Sequence, residues 1–180
     1  MKLTTESSLS EVHECLTNMG KQKTLALLEA EVYLVVFPWV DTGSAAFETS
    51  RIEDESGELS PREIRETARA RAAAQASLSP TDAFLLPFGE GDRLSVGRLR
   101  TSDLRIESSS ISKTHAWFTR EGRGWSVQDA GSTNGTTHND EPLSVGRQSS
   151  LEFGDTLEFG GVEAVYCDRA GVLELAERRW

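Results

Sequence analysis

Three polar stretches between Gly97 and Thr136 collect the side chains of this chain best suited to chemistry. They are Gly97-Arg98, the hydroxyl-rich Ser108 to His115 with Ser112-Lys113 inside it, and Asp129 to Thr136, which reads Asp-Ala-Gly-Ser-Thr-Asn-Gly-Thr. Together they offer a guanidinium, an ammonium, several hydroxyls, the Asn134 amide and backbone N–H groups freed by glycine, with almost no acid to act as a base. Such a set holds an anion. Arg98 suits phosphate through two parallel N–H bonds, Lys113 adds a point charge, and Ser112 and Thr133 donate into the remaining oxygens. A phosphorylated side chain, with nearly two negative charges and three strong acceptors, is the natural guest.

These stretches read as loops because strands bound them. Leu94 and Val96 alternate with polar neighbours and end at Gly97-Arg98. Ala116-Trp117-Phe118 follows His115, and Trp125 and Val127 alternate until Asp129. The same alternation recurs in Leu104 and Ile106, Leu157 and Phe159, and Ala164 and Tyr166, which with Ala116, Phe118, Trp125 and Val127 are the expected core. Short strands separated by regular turns predict a two-sheet antiparallel β-sandwich, starting with Ala83–Phe88 paired to Arg93–Val96.

The ordered set Gly97-Arg98, Asp103-Leu104, Ser112-x-x-His115, Asp129-x-Gly-Ser-Thr133-Asn134-Gly135-Thr136 and Leu157-Glu158-Phe159-Gly160 resembles the forkhead-associated (FHA) domain, a phosphothreonine-peptide reader. The resemblance covers about Ala83 to Asp168. It implies that Arg98 and Ser112 hold the phosphate, Lys113 adds a contact, Thr133 touches the phosphothreonine region and Asn134 bonds the peptide main chain. It also makes Gly97, His115 and Gly135 architectural, with the imidazole buried and hydrogen-bonded, and it implies a preference for phosphothreonine over phosphoserine. The fold class it implies is mainly β, an FHA-like sandwich of the SMAD/FHA type.

Composition narrows the partners. A formal charge of −10 and a pI near 4.8 repel nucleic acid and acidic membranes, so anion capture has to be local, at a basic mouth made by Arg98, Arg100, Arg105 and Lys113. The two cysteines, Cys15 and Cys167, lie far apart without metal-ligand spacing, and His13-x-Cys15 lacks further ligands, so neither a metal nor another cofactor is expected. No stretch reaches membrane-span length and the first residues are no signal peptide, which places the chain in the cytoplasm by expectation.

The remainder divides at the polar, proline-containing Ser77 to Asp82 into a smaller α+β N-terminal region over 1–80 and a sandwich over 81–180. In the first part, Ser8 to Glu11 has the form of a capping box before a helix carrying Leu9, Val12, Leu16 and Met19. Lys23 to Glu31 reads as helix leading into the apolar strand Glu31–Phe37, which is expected to pair in a hairpin with 46–52. An acidic loop over 53–58 and an alanine-rich helix from Ser60 to Ala76 follow, and Val172–Trp180 closes the chain as a helix.

The expectation is therefore a non-enzymatic adaptor that binds a phosphothreonine protein, a Ser/Thr kinase or its substrate. Self-association is a further expectation, through phosphorylated Thr4 or Thr5 captured by an FHA pocket. A phosphate-independent scaffold or oligomerisation module is the alternative. The enzyme alternative is an aspartic protease through Asp41 of Asp41-Thr42-Gly43, though its second apolar-apolar-Gly turn is missing before Pro80. The Asp129 loop also looks like a phosphate loop of actin-like ATPases, which need a longer chain. Ser112, His115 and Asp129 can be arranged on paper as a triad, but no nucleophile elbow accompanies them.

Overall fold

The computed structural model describes residue 3 and residues 7–38 and 82–178. Calls on Thr4, Thr5, Asp41, the strand at 46–52, the loop at 53–58 and the helix at 60–76 fall outside these residues.

Two sheets face each other. One has six strands in the order β2-β1-β11-β10-β7-β8: β1 is Val32–Val36, β2 Phe84–Pro87, β7 Thr136–His138, β8 Glu141–Pro142, β10 Thr156–Phe159 and β11 Val162–Asp168. The other has five in the order β4-β3-β5-β6-β9: β3 is Arg93–Gly97, β4 Leu104–Arg105, β5 Ala116–Glu121, β6 Gly124–Asp129 and β9 Gln148–Leu151. Among the described strands, every pair is antiparallel except β3 with β4, so the expected antiparallel sandwich carries one short parallel pair; the expected pairing of Ala83–Phe88 with Arg93–Val96 does not form, because β2 pairs with β1 in the sheet opposite β3. β4 runs parallel because the loop after Arg98 brings the chain back along β3 before pairing resumes.

Leu104, Ile106, Ala116, Phe118, Trp125, Val127, Leu157, Phe159, Ala164 and Tyr166 are all buried between the sheets, as alternation predicts. Phe88 packs edge-on against Phe118 and Trp125, both at 4.9 Å, and against Tyr166 at 5.7 Å, a preferred aromatic arrangement.

β1 changes the expected partition. Rather than standing in a separate N-terminal region, it lies between β2 and β11, with Leu34 opposite Leu86 on one side and Tyr166 on the other. Leu34 and Val36 enter the inter-sheet core, while Tyr33 and Val35 point into a second core outside the six-stranded sheet. A strand covered on both faces reads as an unbroken apolar run, which is why this segment shows no alternation. The 1–80 and 81–180 blocks of sequence therefore share one sheet.

Helices roof the second core. In α1, Leu9–Met19, the capping box is present: the Glu11 N–H donates to Ser8 Oγ at 3.3 Å and the Ser8 N–H to Glu11 Oε2 at 3.0 Å. Leu9, Val12 and Cys15 are buried, whereas Met19 stands open. α2 is the short Lys21–Leu25, and α3 is Arg169–Glu177, capped by Asp168 accepting from the Gly171 N–H. α3 sends Val172, Leu173 and Leu175 into this outer core, so the closing helix begins three residues earlier than its apolar residues suggest. Cys15 and Cys167 are both buried there, and burial pushes the Cys167 thiol up to about 12.

Candidate anion-binding site

The loops that follow β3, β4 and β6 meet at one end of the sandwich, and each is fixed by a different device. At the end of β3 the device is steric. A Cβ on Gly97 would stand 2.2 Å from the Lys113 carbonyl oxygen and 2.9 Å from Ser102 Oγ, so the strand and the 108–115 loop approach as only glycine permits. Across that contact the Arg98 N–H donates to the Ser112 carbonyl at 3.2 Å and the His115 N–H to the Val96 carbonyl at 2.7 Å. Beyond Arg98, Asp103 Oδ2 accepts from the Ser95 N–H and hydroxyl, both at 2.7 Å. These bonds hold the Asp103 carboxyl below the usual carboxylate range and secure the far end of the Arg98 loop.

His115 joins two loops. It is fully buried, and its Nδ1 lies 3.1 Å from the Ser112 N–H, which can only donate. Nδ1 is therefore the bare nitrogen, and Nε2 carries the proton that it donates to the Gly135 carbonyl at 2.9 Å. Burial pushes the imidazole pKa down against the opposing effects of that carbonyl and of Asp129. The ring is a neutral strut, buried with both nitrogens hydrogen-bonded as expected.

The third loop is organised by Asp129, only 2% exposed. Its Oδ1 accepts from the Gly131 and Ser132 N–H groups at 2.7 and 2.9 Å; its Oδ2 accepts from the Ser132 and Thr136 hydroxyls, both at 2.6 Å. Burial opposes ionisation, yet these bonds outweigh it and hold the carboxyl below its ordinary value. At φ +79° Gly135 takes the left-handed conformation that aims its carbonyl at both His115 and the Gly160 N–H. Asn134-Gly135 is not a tight hairpin: it carries the chain from the five-stranded to the six-stranded sheet. The left-handed two-residue turn is Asn139-Asp140, between β7 and β8.

These devices bring the five predicted binding residues to adjoining loops. Ser112 Oγ accepts from the Thr133 N–H at 3.0 Å and lies 3.4 Å from Thr133 Oγ1. Asn134 spends one amide hydrogen on the Ser110 carbonyl at 2.8 Å, which fixes the side chain and leaves Oδ1 without a partner among the described residues. Arg98 and Lys113 are exposed, and neither has a carboxylate partner among the described residues. Arg105 does not join them: Glu107 pairs with it, and its Nε is buried without a partner.

The paper triad is not assembled. Ser112 meets His115 through its N–H rather than its hydroxyl, and Asp129 is bonded to the Ser132 and Thr136 hydroxyls. Among the described residues no group of three or more His, Cys, Asp or Glu is placed to hold a metal, and no helix is long and apolar enough to cross a membrane. Sequence reasoning gave no role to Asp129 or to the Ser110 carbonyl. The first was detectable as an aspartate preceding turn glycine and serine, which favours such side chain to backbone bonds; a backbone acceptor has no sequence signal.

Residues 94–160 match the family model described as the FHA domain. The chain is 35% identical over 83 residues to the oxoglutarate dehydrogenase inhibitor of Corynebacterium jeikeium, covering 46% of this chain and 54% of that protein. It is 36% identical over 72 residues to the glycogen accumulation regulator GarA of Mycolicibacterium smegmatis, covering 40% of this chain and 44% of that one. The chain thus spans about half the length of these curated relatives. The solution structure of the FHA domain of an Arabidopsis thaliana hypothetical protein is similar at a TM-score of 0.49 with 20% identity, over 77% of this chain and 86% of that one.

Proposed function

We propose that this chain, whose residues 94–160 match the FHA-domain model, is a phosphothreonine-dependent adaptor that binds a partner protein in Ser/Thr kinase signalling. The observation carrying this reading is the pair of cations, Arg98 and Lys113, without carboxylate partners among the described residues and on loops adjoining the Ser112 and Thr133 hydroxyls. An anion with several oxygens satisfies all four groups at once, and recognition by arginine in a preformed cluster is a recurring peptide-binding mode. In this reading Asn134 Oδ1, which has no partner among the described residues, takes a main-chain N–H of the bound peptide. Gly97, His115 and Gly135 support the cluster without touching the ligand.

Binding rather than catalysis is favoured by the state of the groups that would act as base. His115 is neutral with both nitrogens bonded, and Asp129 accepts four hydrogen bonds. The relatives named as an inhibitor and a regulator support the same reading. The partner is a phosphothreonine protein, a kinase or its substrate, and the setting is cytoplasmic.

The test is binding of the whole chain to phosphothreonine peptides with phosphoserine and unphosphorylated controls, for wild type and Arg98→Ala. Loss of a charge-assisted bidentate contact removes on the order of 2 kcal/mol or more, at least tenfold in affinity. Phosphothreonine-selective binding that disappears with Arg98→Ala supports the reader. Binding to a partner that survives phosphatase treatment and Arg98→Ala makes the sandwich a phosphate-independent scaffold instead.

A further inference from the structure

His138 closes β7, and each of its ring nitrogens meets a side chain from another element. Nε2 lies 2.8 Å from Oδ2 of Asp155, in the turn before β10, and Nδ1 lies 2.8 Å from Oγ of Ser149 on β9. Burial opposes ionisation of Asp155, but bonds from Asn139 Nδ2, the Glu152 N–H and His138 outweigh it and hold the carboxyl below its ordinary value. An ionised carboxylate only accepts, so in the neutral ring Nε2 carries the proton and Nδ1 is bare. The Ser149 hydroxyl then donates to Nδ1, which draws its proton toward the imidazole. Ser112 has no such contact, since it meets His115 through its N–H.

The pair behind the serine is screened from water: the His138 and Asp155 side chains are 13% and 16% exposed. Ser149 itself is half-buried on β9, the edge strand of the five-stranded sheet, and among the described strands none lies beyond it. A partly desolvated carboxylate stabilises an imidazolium better than a solvated one does, and an edge serine stays within reach of a reagent.

We propose that Ser149 is an acyl-acceptor site for small activated acyl donors, with His138 as its base and Asp155 as the positioning residue. Oγ attacks the acyl carbonyl carbon; the Oγ–C bond forms, and the bond from that carbon to the leaving group breaks. The hydroxyl proton passes to Nδ1 and from there to the leaving group, so the ring ends neutral and nothing is oxidised or reduced. Asp155 steadies the imidazolium in between through the Nε2 proton. Ser149 lies on a strand and not on the sharp strand-to-helix turn of a hydrolase nucleophile, so the geometry supports one transfer per chain, a covalent mark, rather than turnover. The inference stands apart from the phosphothreonine reading and uses none of that site's residues.

The test treats the full chain with p-nitrophenyl acetate and follows acetylation of each serine by mass spectrometry with fragment-ion mapping. Ser150, exposed on the same strand, is the internal reference. Assistance by a positioned histidine is worth about a hundredfold or more, so Ser149 is expected to acetylate about a hundredfold faster than Ser150 in wild type. In His138→Gln, Ser149 should fall to the rate of Ser150, and Asp155→Asn should lose about tenfold. Melting curves show that each variant folds. Equal rates at Ser149 and Ser150 in wild type, a comparison that needs no variant, overturn the proposal. Stable acetylation of His138 in place of Ser149, or a Ser149 rate unchanged in folded His138→Gln, overturns it as well.

Discussion

β7 and β10 pair along their length and connect two ends of the molecule that are each organised by a carboxylate, and the ends treat charge in opposite ways. At one end β7 starts from the Asp129 loop and β10 finishes at Gly160, whose N–H meets Gly135. At the other, His138 closes β7 and Asp155 precedes β10. There Asp155 Oδ2 pairs with His138 Nε2 at 2.8 Å, its Oδ1 accepts from Asn139 Nδ2 at 2.8 Å, and the Glu152 N–H donates at 2.8 Å; the other ring nitrogen of His138 meets Ser149 Oγ. The far end pairs its carboxylate with a group that can carry positive charge. At the site end the carboxylate takes only neutral donors, and Arg98 and Lys113 have no carboxylate partner among the described residues. Both carboxylates are held below their ordinary values, burial opposing and hydrogen bonds prevailing, so ionisation does not distinguish the ends. What distinguishes them is whether the basic side chains have a carboxylate partner among the described residues.

The largest effect expected from this contrast is on stability. Asp129→Ala leaves the buried Thr136 hydroxyl and two loop N–H groups without an acceptor, a loss of about 3 kcal/mol or more. Asp155→Ala, at a less enclosed position, should cost about 1–2 kcal/mol. Urea unfolding of both variants measures the difference. Equal losses would show that burial at the site end adds nothing and would break the comparison.

Gly97→Ala ranks next. Its Cβ must displace the Lys113 backbone, and the Arg98 to Ser112 contact goes with it, so phosphothreonine-peptide affinity should fall about tenfold or more. A stability loss of about 2 kcal/mol is expected alongside. Wild-type affinity in this variant would show that the close approach does not position Arg98.

How much of this was legible in the sequence depended on whether a residue acts through its own pattern or through its neighbours. Alternation found the inter-sheet core where a strand has one covered face, as in β5 and β10. It could not place β1, whose two faces are both covered: an apolar run fits a hairpin or a central strand equally well. Loop composition pointed to Arg98, Ser112, Lys113, Thr133 and Asn134, which are informative by type, and the structure puts them on adjoining loops. It overcounted the basic mouth, because the pairing of Arg105 with Glu107 depends on side-chain geometry. The tautomer of His115 and the anchoring of Asn134 on Ser110 depend on backbone groups, which every residue has and no sequence marks.

A pH series sharpens the contrast further. Burial depresses the folded-state pKa of His115, so below about 6.5 the unfolded chain takes up a proton that the folded chain refuses. Its contribution is complete above that pH and is lost as pH falls toward the folded value, at up to about 1.4 kcal/mol per unit. Asp129 and Asp155, being depressed carboxylates, lose their contributions only below about 4, so the slope between 6.5 and 5 does not come from them. Subtracting the profile of His115→Gln isolates the imidazole. No difference in slope between the two proteins would mean that His115 is not held neutral.

The smallest effect expected is the response of binding to salt. Because Arg98 and Lys113 are exposed, their attraction for a phosphopeptide is screened as the Debye length shrinks from about 10 Å at 0.1 M to about 3 Å at 1 M. Short contacts survive that change better than long-range attraction does, so weakening of about threefold to fivefold is expected over the range, measured by fluorescence anisotropy with a labelled peptide. Lys113→Ala should flatten the dependence by removing one of the charges at the site that have no carboxylate partner among the described residues, while Asp155→Asn, at the other end, should leave it as in wild type. Were Asp155→Asn to change the salt response as much as Lys113→Ala does, the two ends would be electrostatically coupled through β7 and β10, and the cations at the site would owe their availability to the whole molecule rather than to the site end alone.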